Sequence, residues 1–318
     1  RNLKSTRAKN SALMAATLLT RVIALLACAA GASAAALARP APARAGSSAF
    51  GAARGASAVT MADASILPVD PLRVVIKSSP EAVAYDMSER LYAAAMSAIA
   101  DRGHFVLAIP GGSILKMLNN TKPAWASRAT VVYVNHKCVD MADEEQSTHA
   151  KAQKIFMSNW VNVTTIVLGG SGDAKAEATA YEAQIRALPE TTLPRDAMGK
   201  PVFDMMLIGV GDDGHVGSLY PGREEVGMTE GWVLPVEMKS PGSITLSLPL
   251  MASAKSVIIA ACGVSEKYPE GKSDAMKRAI EGVETPSTFP AVGLRRCATW
   301  ILDNAAASKL SPVYLQDQ

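Results

Sequence analysis

Short apolar runs alternate with longer amphipathic segments from residue 72 to the end of the chain. Seven runs predict strands, at residues 73–76, 105–109, 130–134, 165–168, 203–210, 256–261 and 299–302. Segments with helical periodicity separate most of them, at residues 80–101, 146–159, 174–188, 273–281 and 305–310. Several strand candidates are apolar at every position, which indicates burial on both faces, as in a parallel sheet covered by helices.

This alternation predicts an α/β fold with a doubly wound, mostly parallel, Rossmann-like sheet and helices on both faces. Two further runs, residues 232–236 and 243–248, follow one another without a helix between them. They predict a small antiparallel insert or sheet edge. No repeat or linker interrupts residues 72–318, so we expect one domain there.

The first 61 residues differ in composition, with eight Lys or Arg and no Asp or Glu. An apolar run at residues 22–30 precedes a group of small residues, a pattern typical of a signal peptide, and it is too short for a permanent membrane anchor. The Ala-, Arg-, Ser- and Pro-rich segment that follows is typical of a transit peptide. Together the two resemble the leader of plastid proteins in algae with secondary plastids. We therefore expect a chloroplast stroma location, with secretion as the alternative.

Charge and cysteine content limit the partners of the domain. The chain has 32 Lys and Arg against 29 Asp and Glu, and the leader holds eight of the basic residues. The remainder is acidic, so we expect no nucleic acid partner, and any anion must bind at a local site. Outside the leader, Cys138, Cys262 and Cys297 lack the spacing of a disulfide framework or a zinc site. We expect a reducing compartment and no metal or cofactor.

An Asp-Gly-His sequence, at Asp213, Gly214 and His215, follows the strand candidate at residues 203–210. The glycines formally match G-x-G-x-x-G, but Asp212 and Asp213 would repel a pyrophosphate and further glycines interrupt any helix, so we reject a dinucleotide site. A carboxylate two residues from an imidazole can orient it as a general base. Loop N–H groups, including those near Gly211, can face an anionic oxygen. The alternative is an ordinary Asp-Gly turn with an incidental histidine.

A second glycine-rich loop, Gly111, Gly112 and Ser113, follows the strand candidate at residues 105–109. Free N–H groups where a helix begins can bind phosphate. The loop is not a P-loop, because the Lys and Ser or Thr of that motif are absent. The alternative is a simple strand-to-helix turn.

Taken together, these loops resemble those of the 6-phosphogluconolactonase family, which is related to glucosamine-6-phosphate deaminases. Residues 209–221 are similar to the family's Gly-x-Gly-x-Asp-Gly-His-Thr-Ala-Ser-Leu-Phe-Pro. Further similarity lies at residues 111–113, 134–139, 244–249 and 300–306, and the resemblance covers residues 72–318.

The resemblance implies hydrolysis of 6-phosphoglucono-δ-lactone to 6-phosphogluconate without metal or cofactor. His215 would take a proton from the attacking water, Asp213 would hold the imidazole, and loop N–H groups at Gly211 and Gly214 would meet the oxyanion. The substrate phosphate would bind to the 111–113 loop with the help of Lys137 and Lys272.

The chain departs from the family pattern at its phosphate and sugar contacts. The family's Asp-Glu-Arg is Asn135, His136 and Lys137 here, an arginine is replaced by Ser243, and a threonine by Ile114. A guanidinium binds phosphate through two donors, which a lysine cannot reproduce. We assign no role to His136, and we expect His104 and His149 to be structural.

Two other functions remain open from the sequence. An amino-sugar-phosphate deaminase or isomerase would need a Glu where Tyr220 stands and an acid near Asn135. A lactonase-like fold without turnover would act as a sensor or as a subunit of a larger protein assembly. The replacements at residues 135–137 favour that function, while the retained Asp213 and His215 favour catalysis.

Overall fold

The computed structural model describes residues 67–119, 121–264 and 271–315. The leader predicted at residues 1–61 lies outside these residues. Among the residues described, no helix has both the length and the apolar character needed to cross a membrane.

A parallel sheet forms the centre of the domain. Its strands are β1 (Val74–Lys77), β2 (Phe105–Ile109), β3 (Ala129–Tyr133), β5 (Thr164–Thr165), β6 (Met205–Ile208), β9 (Val257–Ala261) and β10 (Ala298–Asp303). They lie in the order β1-β10-β9-β6-β2-β3-β5, and every neighbouring pair is parallel. Strands β2, β3, β6 and β9 are buried at every position. The predicted α/β class with a mostly parallel sheet is confirmed.

A small antiparallel sheet accompanies the parallel one. It contains β4 (Asn135–Lys137), β7 (Val233–Val236) and β8 (Ser243–Leu246), in the order β4-β8-β7. The predicted pairing of two consecutive strands is confirmed as β7 and β8. The third strand, β4, was not predicted, because its Asn-His-Lys sequence has no apolar alternation and its pairing with β8 is a tertiary contact.

Helices connect most of the strands. They are α1 (Pro80–Arg102), α2 (Ser113–Met117), α3 (Thr148–Ile155), α4 (Ala174–Ala187), α5 (Leu248–Ala252), α6 (Ser273–Glu281) and α7 (Asn304–Ala307). Short 3-10 helices lie at Pro71–Arg73, Ala126–Arg128, Met157–Asn159, Glu224–Gly227, Pro290–Leu294 and Pro312–Tyr314. Helix α1 begins after Ser79, whose side chain accepts the Ala82 N–H, and ends at Gly103 in the left-handed conformation.

Several predicted elements are shorter in the structure. The strand predicted at residues 203–210 begins only at Met205, because the carboxylate of Asp204 accepts the Val106 N–H that a strand carbonyl would otherwise accept. At its other end Val210 pairs with Val216 of the following loop. The helix predicted at residues 146–159 ends at Ile155 and is followed by a 3-10 turn. The strand predicted at 165–168 pairs only at Thr164 and Thr165, at the edge of the sheet.

The direction in which successive strands are added reverses at the centre of the sheet. From β2 the chain continues to β3 on one side, whereas from β6 it continues to β9 on the other, and β2 and β6 are neighbours. Ligands of open α/β sheets bind outside the carboxyl ends of the strands at such a switch point. Both glycine-rich loops of the sequence leave the sheet there.

Candidate active site

A tight loop carries Asp213 and His215 beyond the carboxyl end of β6. Val210 and Val216 form an antiparallel bridge that closes the loop. Within it, the Gly211 N–H donates to the His215 carbonyl at 2.9 Å, and the Gly214 N–H donates to the Gly211 carbonyl at 3.1 Å. These bonds fix the backbone on which the two polar side chains stand.

Asp213 and His215 are in direct contact. Oδ1 of Asp213 accepts from Nδ1 of His215 at 2.6 Å and from the His215 backbone N–H at 3.1 Å. Because a carboxylate can only accept, Nδ1 carries the hydrogen and the neutral ring has its lone pair on Nε2. Nε2 has no hydrogen-bond partner among the residues described, and 22% of the His215 side chain is exposed. The imidazole therefore presents a basic nitrogen to the open edge of the sheet.

The carboxylate of Asp213 is ionised at neutral pH. Partial burial raises its pKa, but the hydrogen bonds from the backbone and ring of His215 and the attraction of that ring outweigh burial, so the pKa lies below its ordinary range. Asp213 therefore acts as an acceptor that holds the imidazole in one orientation.

Two glycines allow the loop to pack. A Cβ on Gly211 would lie 2.1 Å from Nδ1 of His215, so only glycine leaves room for the ring. Gly214 has a φ of 85° and its Cα faces the ring of Phe289, where a Cβ would approach to 2.3 Å. The Ala291 N–H donates to the Gly214 carbonyl at 2.9 Å. The loop therefore rests on residues near the start of the 3-10 helix Pro290–Leu294.

The second glycine-rich loop lies at the same edge, after β2. Gly112, with a φ of 82°, and Ser113 are exposed, while Gly111 faces the Thr148 side chain at the start of α3, where a Cβ would lie 3.2 Å from its hydroxyl. Ile114, which replaces a threonine of the family, is 1% exposed. Its side chain belongs to the core, so this departure does not change the exposed surface of the loop.

The two predicted lysines have different environments. Lys272, which precedes α6, is 7% exposed, and its Nζ donates to the Val210 carbonyl at 2.7 Å. This buried contact brings its charge to the base of the His215 loop. Lys137 is exposed, and its Nζ donates to Oε1 of Gln146 at 3.2 Å.

The other two replaced residues, Asn135 and His136, have structural contacts. Nδ2 of Asn135 donates to the Ser218 hydroxyl at 3.1 Å, which joins β4 to the end of the His215 loop. His136 is fully buried. Its Nδ1 donates to the Lys137 carbonyl at 2.6 Å, and its Nε2 accepts the His149 N–H in the first turn of α3 at 3.0 Å. A neutral imidazole thus caps α3, a role that a carboxylate could also fill.

Tyr220 and Lys239 are site residues that sequence reasoning missed. The Tyr220 ring lies against the His215 imidazole, with 4.8 Å between centroids and an interplanar angle of 36°. Nζ of Lys239 lies 4.6 Å from the Tyr220 centroid. The sequence signals were that Tyr220 stands where the lactonase motif has Phe and where a deaminase would have Glu, and neither signal indicates a contact with His215. The contact of Lys239 depends on the fold of the β7–β8 hairpin.

Comparison with known proteins gives consistent matches. The family model for glucosamine-6-phosphate isomerases/6-phosphogluconolactonase matches residues 78–302. The chain is 30% identical over 257 residues to 6-phosphogluconolactonase of Rattus norvegicus, covering 76% of this chain and 95% of the relative. It is 27% identical over 266 residues to 6-phosphogluconolactonase 3, chloroplastic, of Arabidopsis thaliana, covering 79% of each. The fold is similar to the crystal structure of a 6-phosphogluconolactonase from Leishmania guyanensis, with a TM-score of 0.63 at 22% identity, covering 75% of this chain and 98% of that one.

Proposed function

Because the chain belongs to the glucosamine-6-phosphate isomerase/6-phosphogluconolactonase family, we propose that it hydrolyses 6-phosphoglucono-δ-lactone to 6-phosphogluconate, a step of the oxidative pentose phosphate pathway. One observation carries the proposal. The His215 imidazole, oriented by Asp213, presents Nε2 at the sheet edge where the 111–113 loop also lies. A single small sugar phosphate can contact both loops there.

In this reaction His215 is the general base. Nε2 takes a proton from water as the water oxygen bonds to the lactone carbonyl carbon, and Asp213 stabilises the resulting imidazolium. When the tetrahedral intermediate collapses, the bond between that carbon and the ring oxygen breaks. The imidazolium returns its proton to the ring oxygen, which leaves as the hydroxyl of 6-phosphogluconate.

The loop N–H groups differ in whether they already have an acceptor. Four loop N–H groups already donate to acceptors within the loop, those of Gly211, Asp213, Gly214 and His215. They cannot also meet an oxyanion without breaking these bonds. Residues 211–215 have five backbone N–H groups, and only that of Asp212 has no acceptor among the described residues. We therefore assign the Asp212 N–H to the oxyanion.

The substrate phosphate is proposed to bind to Gly111, Gly112 and Ser113. Lys272 supports this assignment because its ammonium is held at the Val210 carbonyl, next to the catalytic loop. Lys137 lies on β4, the strand joined to the same loop through Asn135. Both lysines would add positive charge where the phosphate lies.

The alternative functions have less support. A deaminase would use a Glu at the position of Tyr220, whose ring instead lies against His215. A non-catalytic binding subunit would not require an imidazole whose orientation a carboxylate fixes. We further propose that the protein works in the plastid stroma of an alga with a secondary plastid. The leader composition and the chloroplastic name of the Arabidopsis relative support this location.

Purified protein and freshly prepared lactone test the function, with 6-phosphogluconate measured by a coupled dehydrogenase. We expect His215→Ala to lower kcat by about 10²- to 10⁴-fold, the usual contribution of a general base. His104→Gln is the matched control, because His104 precedes β2 at the opposite edge of the sheet, where its Nε2 lies 2.9 Å from the Thr130 hydroxyl. Undiminished turnover in folded His215→Ala would refute the assignment. Ammonia release from glucosamine 6-phosphate would instead support the deaminase.

A further inference from the structure

The hairpin between β7 and β8 approaches the catalytic loop. Val236 and Ser243 pair across the two strands, so residues 237–242 form the connection between them. Lys239 lies in this connection and is exposed. Its ammonium lies over the Tyr220 ring, 4.6 Å from the centroid.

Tyr220 links this lysine to the catalytic imidazole. The Lys239 ammonium and the His215 ring both contact the Tyr220 ring, at 4.6 Å and 4.8 Å from its centroid. The ammonium therefore lies within the sum of these two distances of the imidazole. A six-carbon sugar phosphate whose carbonyl lies at His215 is long enough to bring its phosphate within reach of a flexible lysine side chain.

Lys239 shares a surface recess with two carboxylates, Asp173 and Glu237, but pairs with neither of them. The carboxylate on the same connection, Glu237, pairs with Lys175 at 3.3 Å. Lys239 forms no ion pair with any described residue, and its contact with Tyr220 is to a neutral ring. By contrast, Asp212 and Asp213 add negative charge on the catalytic loop, which opposes the approach of an anionic substrate.

The same hairpin is where the chain has lost a positive charge. Ser243 stands in the place of the family's arginine, at the start of β8, and it pairs with Lys137 of β4. Lys239 lies in the short connection that leads into Ser243. Lys239 therefore supplies a cation on the connection that leads to this position.

We propose that Lys239 binds the phosphate monoester of the substrate and replaces the arginine absent at Ser243, with Tyr220 holding the ammonium beside His215. The proposal rests on the function proposed above, because it needs a phosphorylated aldonolactone bound with its carbonyl at His215. Lys239 is a specificity-determining residue, since it favours a phosphorylated sugar lactone over an unphosphorylated one.

Steady-state kinetics of Lys239→Met test this role, since methionine keeps the length of the stem without the charge. We expect KM for 6-phosphoglucono-δ-lactone to rise by about tenfold to a hundredfold, as for loss of one charged hydrogen bond. We expect kcat to change by less than about twofold, because the variant leaves the general base in place. Lys239→Arg should keep KM near the wild-type value. Lys122→Met is the matched control, because Lys122 is an exposed lysine that precedes β3 at the opposite edge of the sheet.

Two ligands separate this proposal from the proposed function. Calorimetric titration with 6-phosphogluconate and with gluconate measures phosphate recognition without turnover, and only the 6-phosphogluconate affinity should fall in Lys239→Met. Unchanged KM and unchanged 6-phosphogluconate affinity in Lys239→Met would overturn the role of Lys239 even if the wild-type protein is an active lactonase. A wild-type protein that binds 6-phosphogluconate through Lys239 but does not hydrolyse the lactone would refute the function and leave the binding role supported.

Discussion

Adding one methyl group at Gly211 should disable the catalytic pair without unfolding the protein. The Cβ of an alanine there would lie 2.1 Å from Nδ1 and 2.2 Å from Cε1 of His215, and 2.7 Å from Oδ1 of Asp213. Carbon atoms in contact prefer separations of about 3.5–4.0 Å, so the imidazole must move by more than about 1 Å. Gly211 is not among the glycines with positive φ, so alanine adds no backbone strain.

The expected loss is in rate rather than in stability. A shifted ring loses its 2.6 Å hydrogen bond to Asp213 and its alignment with the attacking water. A displacement of about 1 Å can cost 10²-fold in rate, and loss of the base costs about 10²- to 10⁴-fold. The side chains that move are partly exposed, so we expect the free energy of unfolding to fall by no more than about 1–2 kcal/mol.

The lactone hydrolysis assay and urea denaturation together check Gly211→Ala. Gly209→Ala is the matched control, because a Cβ on Gly209 has nothing within 4 Å. If Gly211→Ala hydrolyses the lactone at the wild-type rate, the imidazole in contact with Asp213 is not the catalytic group.

Two further predictions concern stability. Burial lowers the pKa of His136 in the folded protein. As the pH falls, the imidazole is therefore protonated in the unfolded chain before it is protonated in the folded one, and the free energy of unfolding should fall below about pH 6.5. His136→Gln, which keeps an acceptor for α3, should weaken this pH dependence in urea titrations, and an unchanged slope would contradict the buried neutral ring. Asp204 is 3% exposed and pairs with Arg102, so Asp204→Ala should lower the free energy of unfolding by about 3–5 kcal/mol. Glu144→Ala, which breaks the exposed pair with Lys154, is the control and should have little effect, while equal losses would refute the argument.

Much of the fold followed from local pattern. Apolar runs predicted the buried strands because parallel strands covered on both sides need apolar residues at every position. The contact between Asp213 and His215 could also be anticipated, since two residues separated by one glycine in a turn lie side by side. Their roles in catalysis stay proposals.

Other features depend on tertiary contacts that the sequence does not encode locally. The burial of Lys272 follows from the Val210 carbonyl that it meets across the sheet edge. The capping role of His136 depends on α3 packing against β4. Lys239 reaches Tyr220 only because the small antiparallel sheet lies beside the catalytic loop. Each of these side chains is positioned by a contact with a residue distant in sequence. The spacing of residues along the chain does not predict such contacts.

The support beneath Gly214 affects how the protein matures during translation. Phe289 and Ala291, which pack against and hydrogen bond with this glycine, are synthesised long after His215. A nascent chain that has emerged only as far as β9 contains Asp213 and His215 but lacks Phe289 and Ala291, the residues that support their loop. Enzymatic competence should therefore arise late in synthesis, and a ribosome-stalled chain that stops before Phe289 should be inactive.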